Sequence, residues 1–194
     1  MDIGIIGYGY WGPNLVRNFS AIPDATVRAV ADLNEQRLTL LQSRYPSIQV
    51  TTDFQELLSR PDIDAVAIAT PVSTHYDLAL RALRAGKHVF VEKPLTETAE
   101  QAEHLIEEAD KRGLVLHVDH TFIYTGAVRK MRELVDNGDI GDIYYYDSVR
   151  VNLGLFQSDV DVMWDLAVHD LSIMDYVLPS KVAAVSASGV NHVQ

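Results

Sequence analysis

The 194-residue chain contains no cysteine, so disulfides, thiolate metal sites and cysteine nucleophiles are all excluded. Positive charge is also scarce, because 16 basic residues stand against 27 acidic ones and give a formal net charge of −11. Nucleic-acid binding needs a basic face that displaces counterions from phosphates, and this charge balance argues against it. No apolar run reaches the roughly 20 residues that cross a bilayer, and the start MDIGIIGYGYWG lacks a basic signal region. These absences predict a soluble cytoplasmic protein without nucleic-acid or membrane partners.

The alternation of apolar segments predicts an α/β fold for residues 1–120. Hydrophobic residues make up 47% of the chain and charged residues 22%, which is typical of a globular protein. Short β-branched runs alternate with segments of helical period, as in βαβ units around a parallel sheet. Six strands are predicted, the full number of a doubly wound Rossmann sheet. They span residues 3–6, 27–31, 49–51, 65–69, 88–91 and 115–118.

Two of the helices in this region carry clear end signals. The helix predicted at 98–112 begins with a capping pair, Thr98 and Gln101, and ends before Gly113. A second helix, predicted at 73–85, stops at Gly86. Both are expected on the surface of the sheet.

Residues 121–194 differ in pattern and are expected to begin a second α/β domain with an open sheet. Helices are predicted at 128–137 and 165–178, and strands at 143–152 and 182–188. Two strands and one helix between them cannot shield a sheet face from water, so this domain is expected to be truncated. We therefore predict a Rossmann domain at 1–120 and the start of a substrate-binding and oligomerisation domain at 121–194.

A glycine-rich motif, GYGYWG at residues 7–12, follows the first predicted strand and opens the first helix. In such a motif the first glycine permits a tight turn, the second admits a pyrophosphate and the third lets helix and strand pack closely. Asp32 ends the second strand 20 positions after Gly12, where a ribose-binding carboxylate is expected. A carboxylate there repels a 2′-phosphate, which favours NAD; NADP is the less favoured alternative because Arg37 lies nearby. In the competing interpretation, the glycines only form a turn.

Polar residues also follow the fourth and fifth predicted strands. Thr70 and Pro71 come after one, and Glu92, Lys93 and Pro94 after the other, at the sheet edge where open α/β folds bind ligands. Proline restricts the backbone of Lys93 and permits a cis bond before it. The alternative is that Lys93 is only a solvated charge in a surface loop.

The helix predicted at 165–178 carries a carboxylate and an imidazole one turn apart. At 3.6 residues per turn Asp165 and His169 share a face, an arrangement that suits a general base near neutral pH. An ordinary amphipathic helix with a hydrogen-bonded histidine is the alternative. His117, Asp119 and His120 cluster at the end of the sixth strand, but they lack a recognised ligand spacing, and no metal is expected.

Taken together, GIIGYGYWG, ATPVSTH, VEKP and WDLAVHD, in this order and spacing, resemble the Gfo/Idh/MocA family of nicotinamide-dependent sugar and cyclitol oxidoreductases. The resemblance implies a Rossmann domain, a second domain with a large open sheet, and a homo-oligomer if that domain is complete. It implies a hydride transfer between nicotinamide and a secondary alcohol or ketone of a sugar, nucleotide sugar or cyclitol.

The resemblance also assigns roles to individual residues. The implied catalytic residues are Lys93, Asp165 and His169, and either Lys93 or His169 could carry the proton. The implied cofactor-binding residues are Gly7, Gly9, Tyr10, Trp11, Gly12, Asp32, Thr70, Pro71, His75, Glu92 and Lys93. The implied substrate-binding residues are Lys93, His120, Tyr124, Asn152, Asp165 and His169. A sensor that binds NAD(P) without turnover, or an inactive fragment, stays open as the alternative function.

Overall fold

The computed structural model describes residues 1–151 and 160–190, so Asn152 lies outside the described residues. The chain divides into two compact units. The first contains residues 1–120 and 160–168, and the second contains residues 121–151 and 169–190. In these ranges, no helix is both long enough and apolar enough to span a membrane.

A six-stranded parallel sheet forms the centre of the first unit. Its strands are β1 (Asp2–Ile6), β2 (Thr26–Ala31), β3 (Gln49–Thr51), β4 (Ala65–Ile68), β5 (His88–Val91) and β6 (Leu116–Val118). The strand order β3-β2-β1-β4-β5-β6 reverses between β1 and β4. This order confirms the predicted doubly wound Rossmann sheet, and all six predicted strands are present.

Five helices connect these strands: α1 (Gly12–Ser20), α2 (Glu35–Arg44), α3 (Phe54–Leu58), α4 (Val72–Arg84) and α5 (Ala99–Arg112). The predicted ends of α5 are confirmed. The Thr98 hydroxyl accepts a hydrogen bond from the Gln101 amide at 3.3 Å, and Gly113 adopts a left-handed conformation with φ of 65°. Local capping therefore fixes where this helix begins and ends, as the sequence predicts.

The sheet is buried on both faces, as parallel sheets generally are. On one face Ile68 and Val91 pack with Leu83 and Leu105 from the helices, and every residue of β4 is buried. On the other face a second cluster surrounds Ile5. Burial of each such aliphatic side chain contributes about 1.5–3 kcal/mol, so the sheet provides a rigid base for its carboxyl edge.

The regular structure of the second unit is helical. It comprises a 3₁₀ turn at Thr121–Tyr124, the helix α6 (Gly126–Asp136) and, from His169 onward, the helix α7 (Val168–Val177). The two predicted strands are wrong within the described residues, because 143–151 and 182–188 are not strands. A strand needs a hydrogen-bonded neighbour, and neither segment has one in the described part of the chain. The alternating apolar pattern alone does not supply that neighbour.

Candidate active site

The glycine-rich turn between β1 and α1 depends on close backbone approaches. Gly7 has a φ of 97°, and a Cβ atom there would lie 2.4 Å from the Ala69 carbonyl oxygen. A Cβ atom on Gly12 would lie 2.4 Å from the Gly7 carbonyl oxygen, so only glycine permits this packing. At Gly9 the nearest atom to a Cβ is Arg37 Nη1 at 3.6 Å, an ordinary contact. The first and third glycines therefore serve the fold, whereas the protein around Gly9 has room for a side chain.

The two aromatic residues of the motif lie at the start of α1. Tyr10 and Trp11 are exposed, and their rings meet edge to face with 5.7 Å between centroids. Trp11 occupies the position before the helix but its side chain makes no capping hydrogen bond. The amide groups at the start of α1 are thus not capped by this side chain, which suits a site that receives a pyrophosphate.

Asp32 lies just beyond β2 with its carboxylate turned toward the glycine-rich turn. Its Oδ2 atom accepts a hydrogen bond from the Tyr8 amide at 2.6 Å, and its Oδ1 atom accepts one from the Asn34 amide at 2.8 Å. Arg37 Nη1 lies 3.7 Å from Oδ2. The carboxylate is therefore held in a fixed position beside the turn, with a guanidinium group next to it.

His75 connects the loops that follow β4 and β5. Only 1% of it is exposed, and its two ring nitrogens lie 2.9 Å from the carbonyl oxygens of Thr70 and Pro94. The Lys93–Pro94 peptide bond is cis. His75 thus ties the backbone next to Lys93 to the end of β4, because one backbone carbonyl oxygen faces each of its ring nitrogens.

Lys93 forms an ion pair with Asp165. Its Nζ atom donates one hydrogen bond to the Asp165 Oδ1 atom at 2.9 Å and another to the Asp165 carbonyl oxygen at 2.8 Å. The two side chains are 15% and 17% exposed, so the pair is largely shielded from water. The structure thus brings together two of the three predicted catalytic side chains, and both belong to the first unit.

Asp165 lies in a π-turn, Met163–Ala167, that the sequence pattern does not predict. The Asp161 carboxylate accepts hydrogen bonds from the Met163 and Trp164 amides, and the Trp164 indole donates to the Glu97 carbonyl oxygen. Because i→i+5 bonding widens the turn, the 3.6-residue period that placed Asp165 and His169 on one face does not hold here. Single π-turns occur frequently at functional sites.

Glu92 and Asp119 follow neighbouring strands, β5 and β6, at the same edge of the sheet. Glu92 is buried, and burial together with the Asp119 carboxyl raises its pKa to about 7. Burial also raises the pKa of Asp119, while it lowers that of His120 despite the nearby Asp119 carboxylate. Among the described residues, no three histidine, aspartate or glutamate side chains form a group suited to a metal ion.

In the second unit, His169 packs against an aromatic ring. It is buried, and its ring meets Phe122 edge to face with 4.8 Å between centroids. The Arg150 guanidinium lies 5.3 Å from the centre of the Phe122 ring and donates two hydrogen bonds to Asp170, at 2.8 and 3.2 Å. Tyr124 is half exposed at the end of the 3₁₀ turn. The pairing of Arg150 with Asp170 is not predicted from the sequence, because a surface arginine has no local signal that identifies its partner.

The chain belongs to the Gfo/Idh/MocA family. Residues 1–120 match the family model described as "Oxidoreductase family, NAD-binding Rossmann fold", and residues 128–194 match its "GFO/IDH/MocA C-terminal domain". The Rossmann domain is thus an NAD-binding domain by family, as the glycine-rich turn and Asp32 predict.

Individual relatives agree with this membership. A myo-inositol 2-dehydrogenase from Thermotoga maritima is 30% identical, over 97% of this chain and 58% of its own length. The crystal structure of an NAD-binding protein from Listeria innocua matches with a TM-score of 0.83 and 26% identity, covering 92% of this chain and 55% of that one. A 3-ketoreductase from Actinomadura kijaniata, in complex with NADP and TDP-benzene, has a TM-score of 0.66 and 33% identity, covering 71% of this chain and 42% of that one. The chain therefore spans about half the length of these relatives.

Proposed function

We propose that this chain belongs to an NAD-dependent dehydrogenase that oxidises a secondary alcohol of a sugar, nucleotide sugar or cyclitol, or reduces the corresponding ketone. The Lys93–Asp165 ion pair carries the proposal. It lies beyond the carboxyl end of β5 in a doubly wound sheet, the edge at which such folds bind their ligands. The family membership and an inositol dehydrogenase among the relatives support the substrate class.

Binding of the cofactor is assigned to the residues around the glycine-rich turn and the strand ends. Gly9 and the start of α1 would receive the pyrophosphate, and the fixed carboxylate of Asp32 would accept a hydrogen bond from the adenosine ribose. These features fit a dinucleotide, because the close packing of Gly12 on Gly7 holds the turn beside the N-terminus of α1, where backbone amides can bind phosphate. When bound, the nicotinamide would supply the position that accepts or donates hydride.

The chain's own side chains would manage the proton and the developing charge. We assign to Lys93 the binding of the reacting hydroxyl, since two of its donors go to Asp165 and an ammonium group carries three. In that position its charge would stabilise the alkoxide that forms as hydride leaves. His169 is proposed as the base that takes the hydroxyl proton, and Asp165 as the residue that fixes Lys93; the proton roles of Lys93 and His169 are exchangeable in this scheme.

The remaining residue assignments are proposals on the same basis. Tyr10, Trp11, Thr70, Pro71, His75 and Glu92 would complete the cofactor cleft, and His120, Tyr124 and Asn152 would contact the substrate. For His75 the support is indirect, because both ring nitrogens already face backbone carbonyls. We also propose a division into domains at 1–120 and 121–194.

We also propose that the protein is cytoplasmic and forms a homo-oligomer if its second domain is complete. Several large apolar side chains in the second unit are strongly exposed, among them Tyr144, Tyr145 and Val151. Exposed apolar side chains are typical of interaction sites where they form one patch. Light scattering coupled to size exclusion would test this point, and a monodisperse monomer would contradict it.

The function is tested by incubating the chain with NAD⁺ and a panel of free sugars, inositols and UDP-hexoses while NADH absorbance is followed. Binding of NADH and NADPH is measured in parallel. Turnover with one class supports the dehydrogenase and identifies its substrate class. Tight cofactor binding without turnover across the panel favours the alternative, a sensor or an inactive fragment, and absence of binding contradicts the NAD assignment.

A further inference from the structure

The register of the sheet places two carboxyl groups side by side. Val91 of β5 is paired with Val118 of β6, and the Asp119 amide donates to the Val91 carbonyl oxygen at 2.9 Å. The residue after Val91 is Glu92, and the residue after Val118 is Asp119. One pair earlier, Phe90 stacks on His117 with 5.4 Å between ring centroids. Because side chains alternate along a strand, Glu92 and Asp119 lie on the same face as that stacked pair.

This carboxyl pair is shielded from water. Glu92 is only 7% exposed, and its Oε1 atom is buried without a hydrogen-bond partner in the described parts of the chain. Glu92 and Asp119 directly follow the paired residues Val91 and Val118, and the Asp119 carboxyl contributes to the raised pKa of Glu92. Two carboxylates in such a position cannot both ionise at low cost, and a hydrogen bond between them requires one proton.

The surrounding charges do not neutralise the pair. The charge of Lys93 acts to lower the pKa of Glu92, but its ammonium group is already paired with Asp165 at 2.9 Å. His117 and His120 act on Asp119, and burial lowers the pKa of His120, which favours its neutral form. The carboxyl groups of Glu92 and Asp165 therefore share one lysine, and Asp119 lies beside His117 and His120. A further positive charge brought to this edge would favour ionisation of the pair.

We propose that Glu92 and Asp119 share one proton and release it when the oxidised nicotinamide cofactor binds. This inference rests on the proposed function. The two residues end β5 and β6, in the half of the sheet opposite Asp32, and a dinucleotide spans both halves of such a sheet. The oxidised ring carries a positive charge and the reduced ring does not. The O–H bond of the shared carboxyl therefore breaks as the oxidised ring arrives, the proton passes to solvent, and no electron is transferred.

The same pair would distinguish the two redox states of the cofactor. An ionised pair attracts the oxidised ring, whereas a protonated pair does not oppose the neutral, reduced ring. We expect the affinity for NAD⁺ to rise roughly five- to tenfold from about pH 6 to about pH 8, with little change for NADH. Glu92 and Asp119 are thus positioning residues that act through charge.

The shared proton is tested first in the chain without cofactor. Carboxyl ¹³C resonances are titrated in the wild-type chain, in Glu92→Gln and in Asp119→Asn, with Glu107→Gln on the exposed face of α5 as the matched control. We expect one carboxyl step near neutral pH in the wild type and in the control, none there in Glu92→Gln, and in Asp119→Asn a step displaced to lower pH, because burial still raises the pKa of Glu92. Carboxyl groups that all titrate in the ordinary range, near pH 4, would overturn the proposal.

Proton release is then measured with a pH-sensitive dye as NAD⁺ or NADH is added at about pH 7. We expect roughly half a proton per chain with NAD⁺, since the pair is about half protonated there, and close to none with NADH or with Glu92→Gln. Equal release by wild type and Glu92→Gln would overturn the linkage. A raised carboxyl step in a chain that binds no NAD⁺ would contradict the linkage and the proposed function, but not the shared proton.

Discussion

Lys93 donates hydrogen bonds to both the side chain and the backbone carbonyl of Asp165, at 2.9 and 2.8 Å. The side-chain bond neutralises a carboxylate that is 17% exposed, and the backbone bond holds the π-turn in which Asp165 lies. One lysine therefore fixes both the charge and the position of its partner. Removal of either side chain leaves a largely buried charge without its counter-ion.

A double-mutant cycle on Lys93 and Asp165 tests this coupling. We expect Lys93→Met and Asp165→Asn each to lower the free energy of unfolding by about 1–3 kcal/mol. The double variant should lose less than the sum of the two, because it leaves no unpaired charge. Urea denaturation measures all four proteins, with Lys111→Met on exposed α5 as the control; strict additivity would contradict the coupling.

Cofactor preference should depend on Asp32 and Arg37. Replacing Asp32 with serine removes the negative charge and frees Arg37, which now lies 3.7 Å from that carboxylate. We expect the ratio of the NADPH to the NADH dissociation constant to fall by about 10- to 100-fold, because Arg37 can then pair with a 2′-phosphate. Fluorescence titration measures the ratio.

Arg37→Ala supplies the control for this experiment. In the Asp32→Ser background it should abolish the gain for NADPH. The serine also loses the hydrogen bonds from the Tyr8 and Asn34 amides, which should cost about 1–2 kcal/mol of stability. A gain that persists without Arg37 would show that the repulsion by Asp32 alone sets the preference.

Stability should depend on pH through Glu92. Its pKa rises from an ordinary value of 4.5 to about 7 on folding, so between these values the folded chain holds a proton that the unfolded chain has lost. The contribution of Glu92 to the free energy of unfolding is fully present below about pH 4.5 and is lost as the pH rises through about 7. Relative to wild type, Glu92→Gln should gain about 1–3 kcal/mol between about pH 5 and about pH 8. Chemical denaturation of both proteins at the two pH values measures this gain. The same difference in the free energy of unfolding between variant and wild type at both pH values would contradict it.

His169 should determine the pH dependence of turnover if it is the base. A base must be deprotonated to act, so His169→Asn should lower kcat by about 10²–10⁴-fold and remove the acid limb of the pH–rate profile. His104→Asn, whose histidine bonds to Tyr76 between α4 and α5, is the control. If His169→Asn keeps the acid limb of the profile, His169 is not the base, and the role falls to Lys93.

Local signals in the sequence predict most of the Rossmann unit. Each strand is a short β-branched run, and Thr98 and Gly113 mark the ends of α5 by their own backbone chemistry. The role of Gly12 follows from the motif, because a Cβ atom there would meet the carbonyl oxygen of Gly7, five residues earlier, whereas the close approach at Gly7 involves Ala69. The capping residues and Gly12 therefore need no knowledge of distant contacts.

Other features depend on partners far along the chain. The Glu92–Asp119 pair arises only from the register between β5 and β6, although both residues are visible at strand ends. The π-turn at Asp165 depends on Asp161 and on the bond from Trp164 to the loop at Glu97, so a regular helical period predicts it incorrectly. Within the described residues, the strands predicted at 143–152 and 182–188 are absent, because a strand pattern does not supply the hydrogen-bonded neighbour that a strand needs.

The measurement that tests the central claim most directly is NAD⁺ reduction by the wild-type chain, Lys93→Met and Lys111→Met with the substrate class found in the panel. NADH dissociation constants are measured for the same three proteins. The account predicts that Lys93→Met loses about 10²–10⁴-fold in kcat while NADH still binds, and that Lys111→Met matches the wild type. Wild-type turnover in Lys93→Met would contradict it.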